Sequence, residues 1–323
     1  MSFQAGSTLS FVQGREASQT QVNSTTSPPT PLDISISDAI IVLRSSDLVN
    51  FRVHKSILAM VSPFFKDLLS LPQPSDSESI DGLPVVQLSE DAELLNTLVS
   101  MLYPVRRVIP DSYDKVLNLL AACQKYDMVQ VQSSIRAKVN RGSFPAPVGT
   151  EVFRAYAIAS NKGLDPEMEM AARLTLDHPM TFETLGEALQ LFDGSVLRDL
   201  TCFRKRCRDN LVKCVQSFLE VQGPGTRNPA SVYCENCGSS SWLNPNWLHQ
   251  VLSPINDLKQ VFKAPVTPSN MHGECLKALQ RFANCKYCGW SHATNNPTFF
   301  AGLESKLARA RDEVPPFLRF QMT

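Results

Sequence analysis

Two short cysteine pairs in the last third of the sequence have the spacing of a metal site. Cys234 and Cys237 enclose two residues, as do Cys285 and Cys288, and a glycine follows each pair. Two intervening residues let both sulfurs of a pair face one tetrahedral ion, and a glycine permits the left-handed backbone that turns the loop around it. The sequence therefore predicts a structural site for one zinc ion per chain, with these four cysteines as ligands.

The distance between the pairs leaves other interpretations open. Forty-seven residues lie between Cys237 and Cys285, more than in the usual zinc ribbon, so an intervening helix would have to return the chain. The pairs could instead be reduced thiols packed beside tryptophans, or a redox-active dithiol. Other residues could replace one ligand: the segment 272–275, His249 and His292. A closed four-cysteine site would stabilise the fold and leave no open position for catalysis.

The rest of the sequence lacks recognisable catalytic motifs. We find no phosphate-binding glycine loop, dinucleotide-binding fingerprint, nucleophile elbow or His-Glu-x-x-His. No nucleophile stands in a motif beside His54, so we do not expect it to be a catalytic base. The basic cluster from Arg204 to Arg208 could indicate a nuclear signal or nucleic-acid contact. Because a helix spreads these side chains over several faces, we expect a solvated surface, and we expect no enzyme.

Composition places the chain among ordinary globular proteins. Its 323 residues suffice for two or three domains, with 43% hydrophobic and 19% charged residues. Thirty-one basic and thirty-one acidic residues argue against a general attraction to nucleic acid or anionic membranes. No apolar run approaches the roughly 20 residues that span a bilayer. Residues 1–20 do not resemble an export signal, and nine cysteines favour reduced thiols, so we expect the cytoplasm or nucleus.

A strand followed by two short helices is predicted from residue 51 onward. Phe51 and Val53 alternate with Arg52, the period of a half-buried strand. Ser62 is a favourable N-cap, and Pro63 falls at the first helical position, where its missing N–H costs nothing. Segments of this kind serve partner recognition more often than catalysis.

The order Phe-x-Val-His-Lys-x-x-Leu-x-x-x-Ser-x-Phe-Phe-x-x-Leu, from Phe51 to Leu68, resembles the signature of the BTB/POZ domain. Further matches are an apolar strand after Asp38, a strand at 85–88, and helical faces within 94–103 and 116–128. The resemblance covers about residues 36–140. It implies an α+β fold in which a small sheet is flanked by helical hairpins.

The resemblance also implies protein–protein interaction, with a homodimer or scaffold built through the first helices. The histidine at position 54 is structural in that family. The interface residues implied for this chain are Asp38, His54, Lys55, Leu58, Phe64 and Phe65. The longer class of BTB domains exchanges an N-terminal helix and strand between partners. Residues 1–35 show neither pattern, so a swapped dimer is not expected.

Two other functions remain open. Family members with a helical extension often act as substrate adaptors for cullin-type ubiquitin ligases, where an apolar-x-Glu motif contacts the cullin. The corresponding stretch here, residues 71–73, is Leu-Pro-Gln and does not match. Regulation linked to nucleic acid ranks lower, because residues 234–250 contain no lysine or arginine.

Three further segments complete the organisation. Residues 1–35 are rich in Ser, Thr, Gln and Pro and are predicted to be disordered. Residues 150–221 are predicted to be a helical extension, whose last helix carries an apolar stripe of core type: Val196, Leu200, Phe203, Cys207, Leu211, Cys214 and Phe218. Residues 226–323 form a helical module with the two cysteine pairs. The whole arrangement is similar to fungal (basidiomycete-type) BTB proteins with a helical extension and C-terminal paired cysteines.

Overall fold

The computed structural model describes residues 40–71, 78–103, 108–222, 234, 236–239, 246–257, 260–282, 284–285, 287–290 and 300–316. The N-terminal segment predicted to be disordered and Asp38 lie outside these ranges.

The first part of the chain is built on a small mixed sheet. Its strands are β1 (Ile40–Arg44), β2 (Asn50–His54), β3 (Ser79–Ile80) and β4 (Leu83–Gln87), in the order β2-β1-β4-β3. Strand β1 is antiparallel to β2 and parallel to β4. In β2, Phe51 and Val53 are buried and Arg52 is exposed, which confirms the predicted alternation.

Helices surround this sheet: α1 (Lys55–Val61), α2 (Pro63–Ser70), α3 (Ala92–Leu102), α4 (Tyr113–Lys125) and α5 (Val129–Asn140). Ser62 caps α2 as predicted, since its Oγ accepts the N–H of Phe65 at 3.0 Å. The same hydroxyl donates to the carbonyl oxygen of Tyr126 at 2.5 Å. Ser62 is fully buried, so this one side chain fixes α2 against the end of α4.

The helical extension contains α6 (Glu151–Asn161), α7 (Asp165–Leu174), α8 (Phe182–Leu185) and α9 (Gly194–Gln222), with 3₁₀ turns at Thr175–Asp177 and Gly186–Leu191. The predicted stripe on α9 faces the core, and six of its residues are at most 7% exposed: Val196, Leu200, Phe203, Cys207, Leu211 and Phe218. The expectation of core packing is confirmed.

The remaining helices pack around α9. They are α10 (Trp247–Ile255), α11 (Gln260–Lys263), α12 (Pro268–Phe282) and α13 (Leu303–Asp312). Leu303 and Leu307 of α13 are fully buried. None of the described helices is both long and apolar enough to cross a membrane.

The expectation of a solvated face for the basic cluster is wrong for two of its arginines. Arg204 is 0% exposed and Arg208 is 2% exposed, because this face of α9 packs against α10, α11 and α12. Arg208 donates to the carbonyl oxygen of Ile255 at 2.5 Å and pairs with Glu274 at 2.6 Å. Lys205, in contrast, faces solvent. The helix distributes these charged side chains over several faces as expected, but two of the arginines face other helices and not water.

Two ion pairs join the first part of the chain to the helical extension. Arg136 of α5 donates to both carboxylate oxygens of Glu167 in α7, at 2.7 and 3.1 Å. Arg154 of α6 pairs with Asp114 of α4. Glu167 is only 6% exposed while the Arg136 side chain is 32% exposed, so the bidentate pair is partly shielded from water and holds α7 against α5.

Candidate metal centre and partner-binding surface

The two cysteine loops have the same backbone geometry. The N–H of Gly238 donates to the carbonyl oxygen of Cys234, and that of Gly289 to Cys285, both at 2.8 Å. The glycines have φ angles of +66° and +73°, the left-handed region expected for them. In each loop the first cysteine's N–H also donates to the carbonyl five residues later, at 3.0 and 2.8 Å. Each loop therefore turns its two sulfurs toward one point.

The four sulfurs meet in one cluster. The Sγ atoms of Cys234, Cys237, Cys285 and Cys288 all lie within 4.8 Å of one another. The sulfurs of Cys234 and Cys288 are 3.6 Å apart, and those of Cys237 and Cys285 are 3.8 Å apart. A tetrahedral ion with metal–sulfur bonds of about 2.3 Å separates its ligands by roughly 3.8 Å. The four cysteines therefore lie close enough together to bind one metal ion.

Helices between the pairs return the chain, as the long spacing requires. The first pair precedes α10 and the second follows α12, and these two helices pack against each other. Cys234 and Cys285 are buried, while Cys237 and Cys288 are exposed. Trp290 packs against the two buried cysteines in a small cluster separate from the main core.

The thiols of this cluster differ in acidity. Burial opposes ionisation of Cys285, but the backbone N–H groups of Cys288 and Tyr287 outweigh it and lower the pKa of Cys285 to about 6. The pKa of Cys237 is lowered mainly by its hydrogen bond with Ser239. Burial raises the pKa of Cys234 to about 11. Without a cation, four adjacent thiolates would repel one another, so a divalent ion suits the arrangement.

The alternative ligands that the structure describes do not belong to this cluster. His272 places Nδ1 2.9 Å from a carboxylate oxygen of Glu304 and packs against the ring of Phe300. Cys275 is fully buried in the main core, and burial raises the pKa of its thiol to about 12. His249 is exposed on α10. His292 lies outside the described residues.

His54 has a structural environment. It precedes α1, and its backbone N–H donates to the hydroxyl of Tyr103 at 2.9 Å. Its Nδ1 lies 3.1 Å from the same hydroxyl, and the ring centroids are 5.9 Å apart. Tyr103 is 9% exposed, so the pair ties the start of α1 to the end of α3. Lys55, the next residue, is half-buried.

Two of the residues named as interface candidates are core residues. Leu58 and Phe65 are each 1% exposed, which leaves no surface for direct contact with a partner. The ring of Phe65 packs on Tyr126 with centroids 5.0 Å apart. Both side chains support α1 and α2 from within. A family signature contains core and surface positions alike, and the motif alone does not separate them.

The exposed apolar residues of this region are Met60, Phe64 and Leu71, at 78%, 42% and 60% exposure. Sequence reasoning had selected Phe64 but missed Met60. A helical wheel through α1 could have found it, because Met60 lies two residues after Leu58 and so nearly opposite the buried side. The first two helices therefore bury Leu58 and Phe65 on one side and expose apolar side chains to solvent on the other.

Comparison with known proteins identifies the first part of the chain. Residues 32–142 match the family model of the BTB/POZ domain. No curated protein matches the chain. The fold is α+β, with a BTB/POZ domain of small mixed sheet and helices, a mostly helical remainder and a C-terminal cysteine cluster. A BTB/POZ domain is a protein–protein interaction domain, and this is the role that the match indicates for the first part of the chain.

Proposed function

We propose that this protein is a non-enzymatic interaction module that self-associates, or assembles other proteins, through its BTB/POZ domain. The observation that carries the proposal is the set of exposed apolar side chains on α1, on α2 and directly after α2: Met60, Phe64 and Leu71. We further propose that the helical extension and paired cysteines make it a relative of fungal, basidiomycete-type BTB proteins.

The chemistry of this surface favours a protein partner. An apolar side chain of this size contributes about 1.5–3 kcal/mol when it is fully buried. The same two helices also carry charged residues: Lys66 and Asp67 are exposed, and Lys55 is half-buried. Apolar anchors with a charged rim are the usual anatomy of a protein interface. A second copy of the same surface would complete a two-fold dimer.

We predict that Met60→Asp combined with Phe64→Asp weakens self-association at least about tenfold, because desolvating unpaired charges of the same sign is costly. Sedimentation velocity over a concentration series measures the effect. Val148→Asp is the matched control, since Val148 is 67% exposed but lies after α5, outside this surface. Equal dimerisation of the double variant and the wild type would rule out this surface as the self-association interface.

Adaptor work for a cullin-type ubiquitin ligase is the second candidate. It is favoured by the ion pairs Arg136–Glu167 and Arg154–Asp114, because they fix the helical extension relative to the BTB/POZ domain. An adaptor needs such a fixed geometry to present a substrate. A pull-down with purified cullin tests this function, and absence of binding would exclude it.

Regulation through nucleic acid has less support than either of these functions, since Arg204 and Arg208 are buried and cannot contact a nucleic acid.

We also propose that the four-cysteine cluster holds one structural zinc ion. Support comes from the matching loops, the sulfur separations of 3.6 and 3.8 Å and the lowered pKa of Cys285. Cys234, Cys237, Cys285 and Cys288 would supply all four ligands, so the ion would cross-link the two loops without an open position. All nine cysteines are free thiols, and a site of reduced thiols fits the cytoplasm or nucleus.

A further inference from the structure

An apolar groove lies between α8, the start of α9 and α11. Its volume is about 710 Å³, and its apolar lining residues are Met180, Phe182, Leu185, Leu189, Leu197 and Phe262. Phe182 is 80% exposed and Phe262 is 42% exposed. The backbone N–H of Met180 donates to the carbonyl of Phe262 at 2.8 Å, which holds the two walls together. Exposed aromatic side chains gathered in a concave surface are typical of a binding site.

The described chain ends about one helical turn of α9 away from this groove. Helix α13 runs antiparallel along α9, with Asn210 donating to the carbonyl of Ala310 at 2.6 Å. Further on, Arg206 donates to the carbonyl of Pro316 at 2.8 Å. The chain thus advances toward the N-terminus of α9. The next residue on that face, one helical turn beyond Arg206, is Cys202, which lines the groove.

The residues that follow have the pattern and the length for this groove. Residues 317–323 read Phe-Leu-Arg-Phe-Gln-Met-Thr, so Leu318, Phe320 and Met322 alternate with polar residues. That alternation predicts an extended segment with one apolar edge. Seven extended residues span roughly 23 Å. The helix rise from Arg206 back to Gly194, at the far end of the groove, amounts to roughly 18 Å.

We propose that residues 317–323 bind in this groove as an extended segment, with Leu318, Phe320 and Met322 placed against Phe182 and Phe262. The preceding Pro315-Pro316 pair favours an extended backbone at the point of entry. The segment follows α13 in the same chain, so its effective concentration at the groove is high. This docking depends neither on zinc nor on self-association.

The reactivity of Cys202 measures occupancy of the groove, because this thiol is exposed in the described structure and lines the groove. Alkylation by iodoacetamide, followed at the Cys202 peptide by mass spectrometry, would be compared between the wild type and a variant. In the triple variant Leu318→Ser, Phe320→Ser, Met322→Ser, we expect alkylation of Cys202 to be roughly three- to tenfold faster. The matched control, Arg319→Ser with Gln321→Ser, changes the polar edge and leaves the rate unchanged.

Two results would overturn the proposal. One is an unchanged alkylation rate at Cys202 in the triple variant. The other is an equal acceleration at Cys214, a half-buried thiol on α9 outside the groove, since that would indicate general loosening.

A cross-link separates docking within one chain from docking between chains. In the Phe320→Cys variant, diamide oxidation should join the introduced thiol to Cys202 within a single chain, at a rate independent of protein concentration. The two thiols lose their hydrogens and electrons to diamide, which is reduced to the hydrazine. A link between two chains, or no link at this position, would contradict the proposal.

Discussion

Replacing Cys234 by serine is expected to reduce bound zinc from one ion per chain to none after dialysis. The serine hydroxyl is not ionised at neutral pH and replaces one of four converging sulfurs. Removing a residue that only hydrogen-bonds to a metal ligand lowers metal affinity about 10- to 100-fold. Removing a ligand itself should therefore lower the affinity for zinc by more than about 100-fold. Elemental analysis of purified protein gives the stoichiometry, and limited proteolysis reports the state of the two loops.

Cys202→Ser is the control for this experiment. Its thiol is exposed but lies outside the sulfur cluster, so the variant should keep its metal. Well-folded wild-type protein that contains no metal after zinc-replete expression would contradict the proposed site.

Arg204→Met is expected to lower the free energy of unfolding by about 3–5 kcal/mol. The guanidinium is fully buried, and the hydrogen bonds described for it go to four backbone carbonyls: His178 at 2.9 Å, Val261 at 3.2 Å, Ala264 at 3.4 Å and Thr175. Burial lowers its pKa to about 10, so it stays charged at neutral pH. Methionine fills a similar volume but leaves these carbonyls unpaired. Urea unfolding followed by circular dichroism measures the loss.

Lys205→Met is the matched control on the same helix. Lys205 is exposed, and its ion pair with Asp209 at 2.5 Å is a solvent-facing pair one turn apart. Such pairs contribute little, so the control should shift stability by no more than about 0.5 kcal/mol. Equal losses in the two variants would show that the buried guanidinium has no special role.

Local patterns in the sequence predicted much of what the structure contains. Alternation predicted β2, the spacing of apolar residues predicted the buried face of α9, and paired spacing with a following glycine predicted both cysteine loops. Each of these features depends on residues a few positions apart. A period or a turn preference is therefore enough to find it.

Features that depend on distant segments were not predictable in this way. Arg204 is buried because its face of α9 packs against other helices, and carbonyls of residues 175, 178, 261 and 264 bind its guanidinium there. Nothing within α9 encodes that arrangement. Charge normally marks a surface residue, which made solvent the natural expectation. Leu58 and Phe65 were named from a family signature, whereas their burial follows from packing beneath α1 and α2. The spacing of the cysteines was enough to predict the metal site, whereas the burial of Arg204, Leu58 and Phe65 could be found only from the fold.

Among the residues that the structure describes, the sulfur cluster and its tryptophan share no buried side chains with the main core. A chelator should therefore release the two loops while the helices around α9 keep their structure. Protein purified in a buffer that contains a chelator would keep its melting temperature, because the main core is intact. Its four cysteine thiols would no longer be held by a metal, and two of them are already exposed. In air those thiols would oxidise to disulfides, first with one another because their sulfurs lie within 4.8 Å, and the oxidised loops could no longer bind the ion, so storage stability would depend on keeping the metal bound.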